Sequence, residues 1–399
     1  MAAAVKAIVS AKLLVWARDR AKVKIEDAAK SANVTVERLL EWEKGVDAPT
    51  VAELRALANK YHFPLAVFYL LEPPADFAPL RDFRRLPDYQ DETISSNLAY
   101  HIRTAYERRE LALELNADLN TPPPLFPLKA ALKDDPETVG EAIRTFLGVD
   151  DQSQRNAAQQ GRAFDFWRRR LEEHSVLVFV ISGPHYSVPV DEMRGLAIAK
   201  PELPVIVVNG RDHSQGGKTF TLLHEFVHII LGESALSNGA ADNLGSSPEE
   251  QKIERFCDAA AAAALMPSGL LSSFPQFAKA GIRAWTFDEL RPIASAIGVS
   301  RHALLLRCVS LRRATWDFYK SQRPRFEEEA RTAGQKQQKQ KVRIKRPILL
   351  MSWNGRSFTR LVLRGYYDQR ITLSDVAGYL GAKLKHIPSL ERAAFQGVD

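Results

Sequence analysis

His224, Glu225 and His228 stand inside an otherwise apolar run, TFTLLHEFVHIILGES, residues 219–234. On an α-helix, residues four apart lie one above the other, so both imidazoles point the same way and can reach one metal ion. Glu225 is turned too far away to coordinate, yet stays close enough to take a proton from water at that ion. Two histidines at this spacing around a glutamate suit zinc-assisted attack of water on a carbonyl. Two histidines in a greasy helix also occur as ordinary core residues, so the choice turns on a third ligand. A catalytic zinc takes three protein ligands and keeps one position open for water.

Downstream, EEQKIERFCDAAAAAALMPS puts Glu254 and Asp258 four apart on a second helical pattern, with alanines 259–264 behind them. Small residues let two helices approach closely, as a site shared between helices requires. Glu254 is the favoured third ligand because it is embedded in that helix; Glu249 and Glu250 follow an SSP loop, and Glu233 is a further rival. Asp258, one turn on, suits a hydrogen bond to a ligand histidine that fixes its tautomer. For the group that steadies a developing oxyanion, His185, Tyr186 and His213 are the nearby candidates.

The elements that must position these residues follow from pattern. Three apolar runs, SVLVFVI, GLAIA and PVIVVN, precede the histidine helix and read as strands. PVIVVN is expected at the sheet edge, where an extended peptide could add as a further strand. Helices are expected at 97–119, 137–147 and 160–173, and again after the histidines up to about Tyr319. Near the N-terminus, KIEDAAKSA and TVERLLEWEKG flank a tight turn at Asn33 and Val34. TVAELRALANKY follows with Thr50 as its N-cap. These signals divide the chain into 1–75, a Pro-rich and charged linker at 76–96, a site-bearing region at 97–320, a Gln/Lys-rich linker or solvated helix around 321–346, and a small C-terminal region at 347–399. In the last, ITLSDVAGYLGAKLKHIPSL looks like half of a helix-turn-helix. The fold class expected is α+β: an all-α N-terminal domain, then a mainly helical domain with a small sheet.

Two segments carry resemblances. RGLAIAKPELPVIVVN, FTLLHEFVHIIL and IERFCDAAAAAALMP resemble the core of the ImmA/IrrE metallopeptidases, over about residues 175–267. That resemblance implies Zn2+ held by His224, His228 and Glu254, with Glu225 as the base. The family pattern carries Asn where Asp258 stands, which affects tuning of the histidine more than ligation. IEDAAKSANVTVERLLEWEKGVDAPTVAELRALANKYHFPL resembles the phage-repressor type of helix-turn-helix over about residues 8–70. It implies a recognition helix offering Thr35, Glu37, Arg38 and Glu41 to the DNA major groove, with Lys12, Arg18, Arg20, Lys22 and Lys24 near the phosphates. Along nearly the whole chain the order of parts is similar to the ImmA/IrrE regulators, in which the peptidase cleaves a DNA-bound repressor. The resemblance therefore implies a protein substrate, with DNA as a second partner and a homodimer as an open arrangement. The alternative is a DNA-binding or antitoxin-like regulator whose zinc fold does no chemistry.

Bulk composition agrees with a globular chain of two or three domains: 399 residues, 45% hydrophobic and 26% charged. The net charge of +7 permits nucleic-acid contact without requiring it. Residues 1–75 hold eleven Lys or Arg against nine Asp or Glu, a weak basis for phosphate binding. Two cysteines, Cys257 and Cys308, make no disulfide framework and are expected reduced. No apolar run reaches the roughly 18 residues of a membrane span, and Lys6 and Lys12 break up any leader-like start, so a cytoplasmic protein is expected.

Overall fold

The computed structural model describes residues 6–73, 95–182, 186–212, 214–237, 248–278, 281–339 and 345–395. Of the linker expected at 76–96, residues 76–94 lie outside the described residues, as do His185 and His213. The chain divides into two units: 1–106 with 184–188, and 107–183 with 189–399. The first unit is all helical and the second is helical around one small sheet, which is the expected α+β class. No single helix among the described residues is long and apolar enough to cross a membrane.

In the first unit, α1 (Ala11–Arg20), α2 (Ile25–Ala32), α3 (Val36–Glu43) and α4 (Val51–Tyr61) surround a core that includes Leu14, Ala28, Leu39, Trp42, Leu54 and Tyr61. Local chemistry sets the boundaries. Asn33 takes the left-handed conformation (φ 57) that ends α2, and the Thr35 hydroxyl accepts from Arg38 N–H to start α3. Thr50 and Glu53 form a reciprocal capping box on α4. Helix α5 (Ser96–Asp118) follows.

His62 closes α4 with φ 59, its ring 4.3 Å from Tyr186 and 4.8 Å from Tyr100, and its carbonyl accepts from Arg103. Burial above all, then the charges of Arg103, Lys60 and His101, push its pKa down to about 4. Below about pH 6.5 the unfolded chain takes up a proton that the folded ring refuses. The stability tied to His62 is therefore complete above that pH and is lost progressively as pH falls to about 4. Discounted for the ring's partial exposure, the loss is about 1–2 kcal/mol. His62→Asn keeps a residue that tolerates this backbone and is expected to flatten the pH dependence of urea unfolding between about pH 7 and pH 5. Equal slopes for variant and wild type would remove His62 as the cause.

The second unit takes in the end of α5 and continues with α6 (Pro136–Phe146), α7 (Asp151–Gln159) and α8 (Ala163–Glu173), then β1 (Leu177–Ile181), β2 (Gly195–Ile198) and β3 (Val205–Asn209). The histidine helix is α9 (Gln215–Leu231), followed by β4 (Ala235–Ser237) and the glutamate helix α10 (Pro248–Leu265). Helices α11 (Ser268–Ser272), α12 (Pro275–Ala278), α13 (Phe287–Ile297), α14 (Arg301–Ser310) and α15 (Trp316–Lys339) continue the layer. Helix α7 was not anticipated; its polar sequence DQSQRNAAQ carries little periodic apolar signal. The Gln/Lys-rich stretch is largely helical as part of α15.

The sheet runs β1-β3-β2-β4, with β1 parallel to β3 and the other pairings antiparallel. This corrects the expectation for PVIVVN. As β3 it is bonded on both sides, by β1 and β2, so it offers no edge to a peptide. The edges are β1 and the short β4, which begins four residues after α9. Helix α9 packs against β2 and β3, and its apolar residues are buried all round, as in a core helix.

The alanine run of α10 serves a partner beyond α9. A Cβ added at Gly140 of α6 would fall 2.6 Å from Ala263 Cβ, so α6 and α10 meet at a glycine against alanine. The end of α10 is clamped. Its last carbonyls, which have no intrahelical partners, accept from buried side chains: Ala264 from Arg144 (2.9 Å), Leu265 from Gln154 (2.8 Å) and Met266 from Arg307 (3.0 Å). Arg307 also pairs with Glu137.

The C-terminal helices α16 (Arg346–Asn354), α17 (Arg356–Tyr367), α18 (Leu373–Tyr379) and α19 (Ile387–Phe395) belong to this second unit. Helix α16 packs on β1. Arg168 of α8 donates to the carbonyls of Val178 in β1 and Ser352 in α16. The Glu172 carboxylate accepts from the N–H groups of Arg356 and Ser357, at 3.1 and 3.2 Å, at the start of α17.

Candidate metal centre

Helix α9 starts where the Ser214 hydroxyl accepts from Gly217 N–H and ends at Gly232, φ 76. Between these points His224, Glu225 and His228 are all buried. The Nε2 atoms of the two histidines stand 3.1 Å apart on the face toward α10. From α10, Glu254 brings one carboxylate oxygen to 3.2 Å from His224 Nε2 and the other to 3.2 Å from His228 Nε2. Among the described residues these three form the one group of His, Cys, Asp or Glu able to surround an ion, with ligand atoms within 4.8 Å of one another. Glu233, Glu249 and Glu250 are not in it.

The donor set fits zinc. Bonds of about 2.0–2.1 Å at tetrahedral angles hold neighbouring ligand atoms roughly 3.3 Å apart, close to the separations seen. Asp258 Oδ1 lies 2.9 Å from His224 Nδ1. A carboxylate only accepts, so Nδ1 carries a proton toward Asp258, and Nε2 is the nitrogen that meets Glu254 and His228 and would take a metal. Electrostatics favour positive charge at this point. Burial opposes protonation of His224, but its hydrogen bonds to Asp258 and then Glu254 outweigh burial and raise its pKa well above the ordinary value. Burial likewise opposes ionisation of Glu254, and its contacts with His224 and His228 overcome it, holding the carboxyl well below the usual range. A cation competes with the proton for the same lone pair, which makes binding there release protons.

Glu254 is 31% exposed and Asp258 44%, against almost nothing for the histidines, so this corner of the site faces solvent. Asp258→Ala leaves the three closest groups intact but frees the His224 ring. Zinc affinity is expected to fall about 10–100-fold, read by competition with a chelator; an unchanged affinity would leave Asp258 a surface carboxylate.

Gly195, the first residue of β2, belongs to the site and was not singled out from sequence. A Cβ placed there would lie 2.7 Å from both Cγ and Cδ of Glu225. The glycine makes room for the carboxylate between β2 and α9. The only signal in sequence is a glycine opening an otherwise bulky strand, GLAI. Cys257, buried one residue before Asp258, has its thiol pKa pushed well up by burial and then by Glu254, Glu225 and Asp258. Burial lifts Cys308 to about 12, and both cysteines are free thiols. Of the oxyanion candidates only Tyr186 is described, and its ring sits with Tyr100 and His62 of the first unit.

The residues expected at DNA divide differently from the reading of sequence. Thr35, Glu37, Arg38 and Glu41 are exposed on α3. Arg38 lies over the Trp42 ring and 3.6 Å from Glu53. Arg18, expected near phosphate, is instead a two-pronged partner of the nearly buried Glu43. Lys12 lies 3.4 Å from Glu72. The face that remains around α3 carries Glu37 and Glu41.

A buried histidine pair facing a carboxylate from a second helix, beside a small mixed sheet, is a metallopeptidase-like arrangement, here joined in one chain to a helix-turn-helix unit. Residues 171–309 match the family model described as the IrrE N-terminal-like domain, a peptidase family, and residues 14–68 match the one described as helix-turn-helix. The two matches agree with the ImmA/IrrE resemblance of the sequence. No curated protein and no solved structure matches the chain.

Proposed function

We propose that the chain is a zinc-dependent endopeptidase of narrow specificity that cleaves a transcriptional repressor and so controls stress or mobile-element genes. The observation that carries the reading is the closed triangle of His224, His228 and Glu254, with the Glu225 carboxylate buried on the same helix. Zinc held there supplies a Lewis acid that polarises a peptide carbonyl and makes water nucleophilic near neutral pH. Glu225 accepts the proton of the attacking water and passes it to the departing amine, as a general base and then a general acid. Asp258 keeps His224 in the tautomer and orientation that ligation needs. The helix-turn-helix match supports a target that is itself found at DNA.

The test is a map of new protein N-termini in cells expressing wild type or Glu225→Gln. A few Glu225-dependent cleavage sites, in a DNA-binding protein, are expected. Identical maps would sink the peptidase reading. Zinc content of wild type beside His228→Ala and Glu254→Ala checks the site itself: about one zinc per chain in wild type, lost in both variants.

A second reading has its own support in the helix-turn-helix match: a regulator that acts only by binding DNA, its metal fold being structural. It differs in predicting that Glu225→Gln leaves regulation unchanged.

A further inference from the structure

The turn of the N-terminal helix-turn-helix recurs in the C-terminal segment with the same spacing. In the N-terminal motif, Lys24 is the N-cap of α2, and Asn33, nine residues on, is left-handed at φ 57. Val34 N–H then bonds back to Ala29 at 3.0 Å, and Thr35 caps the next helix. In the C-terminal segment, Thr372 is the N-cap of α18, and Gly381, nine residues on, is left-handed at φ 60. Ala382 N–H bonds back to Ala377 at 2.9 Å, and Lys383 takes the N-cap position, without the side-chain bond that Thr35 makes, of a 3-10 turn at Leu384–His386 that leads into α19. The core register agrees as well. Leu39 and Trp42 are buried six and nine residues after Asn33; Ile387 and Leu390 are buried six and nine after Gly381. Helix α1 packs on α3, and α17 packs on α19. Locally the second helix differs in opening with a 3-10 turn before Ile387, and α18 packs on that turn where α2 packs on α3 itself.

What differs is charge. The positions held by Thr35, Glu37, Arg38 and Glu41 on α3 are held here by Lys383, Lys385, His386 and Ser389. Both lysines are exposed. Leu384 between them is 56% exposed, an apolar group of the kind that contacts a thymine methyl. Residues 345–395 hold nine Lys or Arg against three Asp or Glu, a net of +6 in a chain whose total is +7. Two of the three acids are engaged locally: Asp375 in the capping box with Thr372, and Glu391 by the Tyr367 hydroxyl.

We propose that α17–α19 are a second helix-turn-helix, and that its face at Lys383, Leu384, Lys385, His386 and Ser389 binds double-stranded DNA. Lys383 and Lys385 meet phosphates at the groove edge, where each neutralised phosphate releases counterions. His386 and Ser389, nearer the helix axis, face base edges. The N-terminal motif, which carries Glu37 and Glu41 at the corresponding positions, then contributes less to duplex affinity than this one.

Full-length protein is titrated by fluorescence anisotropy against a labelled duplex of random sequence at about 50 and 200 mM salt. Binding that weakens with salt is expected. Lys383→Ala/Lys385→Ala is expected to weaken binding at the lower salt at least about tenfold and to make the slope of log K on log salt shallower by about 1.8, two phosphate contacts' worth. Zinc content and circular dichroism equal to wild type establish that the variant is folded. Arg38→Ala, measured alongside, apportions binding between the two motifs. The proposal is overturned if wild type does not bind the duplex at low salt, which would make the basic face a protein-docking surface. It is also overturned if the double variant binds as wild type does, or if the larger loss falls on Arg38→Ala.

Discussion

Glu225→Gln is expected to keep about one zinc per chain and to lose cleavage by about 10²–10⁴-fold. Glutamine has nearly the shape of glutamate, so the buried slot between α9 and β2 stays filled and the ligand triangle of His224, His228 and Glu254 is undisturbed. What it lacks is a basic oxygen. The amide neither takes a proton from water nor returns one to the amine, so the variant loses transition-state chemistry while retaining the metal. The pair of measurements is zinc by elemental analysis and cleavage of the mapped target in single-turnover assays. Full metal with wild-type cleavage would show that another group moves the proton. Loss of both metal and cleavage would mean that Glu225 matters to the fold of the site.

Gly195→Ala is the second large effect. Its methyl group would occupy space now held by the Glu225 side chain, and neither neighbour has free room: β2 is bonded on both sides and α9 is buried. The carboxylate is the softer of the two and must shift. Displacement of a proton-transfer group by about 1 Å costs on the order of 10²-fold in rate. Zinc content should stay at the wild-type level, because the three atoms nearest the added methyl all belong to Glu225, which is not one of the groups facing the metal. A variant that cleaves normally would show that Glu225 reaches its working position from elsewhere.

The parts of this molecule that were readable in sequence are those encoded over a few residues. The spacing of His224 and His228 fixes their common face because helical periodicity is local. The cap at Thr50 is likewise written within one turn. Glu254 is legible because it lies in a strong helix; its meeting with the histidines depends on tertiary packing and was an inference from type and context. The order of strands is a different matter. The middle position of β3 comes from pairing β1 to β3 across β2 in sequence, and nothing in PVIVVN distinguishes a central from an edge strand. Gly195 was silent because its role exists only when β2 lies over α9. Arg18 misled because a basic side chain near a helix-turn-helix suggests phosphate, while Glu43, twenty-five residues on, takes it as a partner. At the C-terminus, ITLSDVAGYLGAKLKHIPSL shows half a motif in sequence; the other half rests on Ile387 and Leu390 being buried at the spacing of Leu39 and Trp42, which only the fold supplies.

The cover over β1 bears on how the protein can be divided in the laboratory. A fragment cut before Lys345 would retain the whole stretch that matches the peptidase family and all the groups around the metal. It would also strip α16 from the edge strand β1 and remove the Ser352 carbonyl that shares Arg168 with Val178. Bare apolar strand edges recruit other chains. Such a fragment is a poor choice for measuring activity, since self-association would be mistaken for a defective site. The shortest piece worth purifying is set by what shields the sheet and not by where the family match stops.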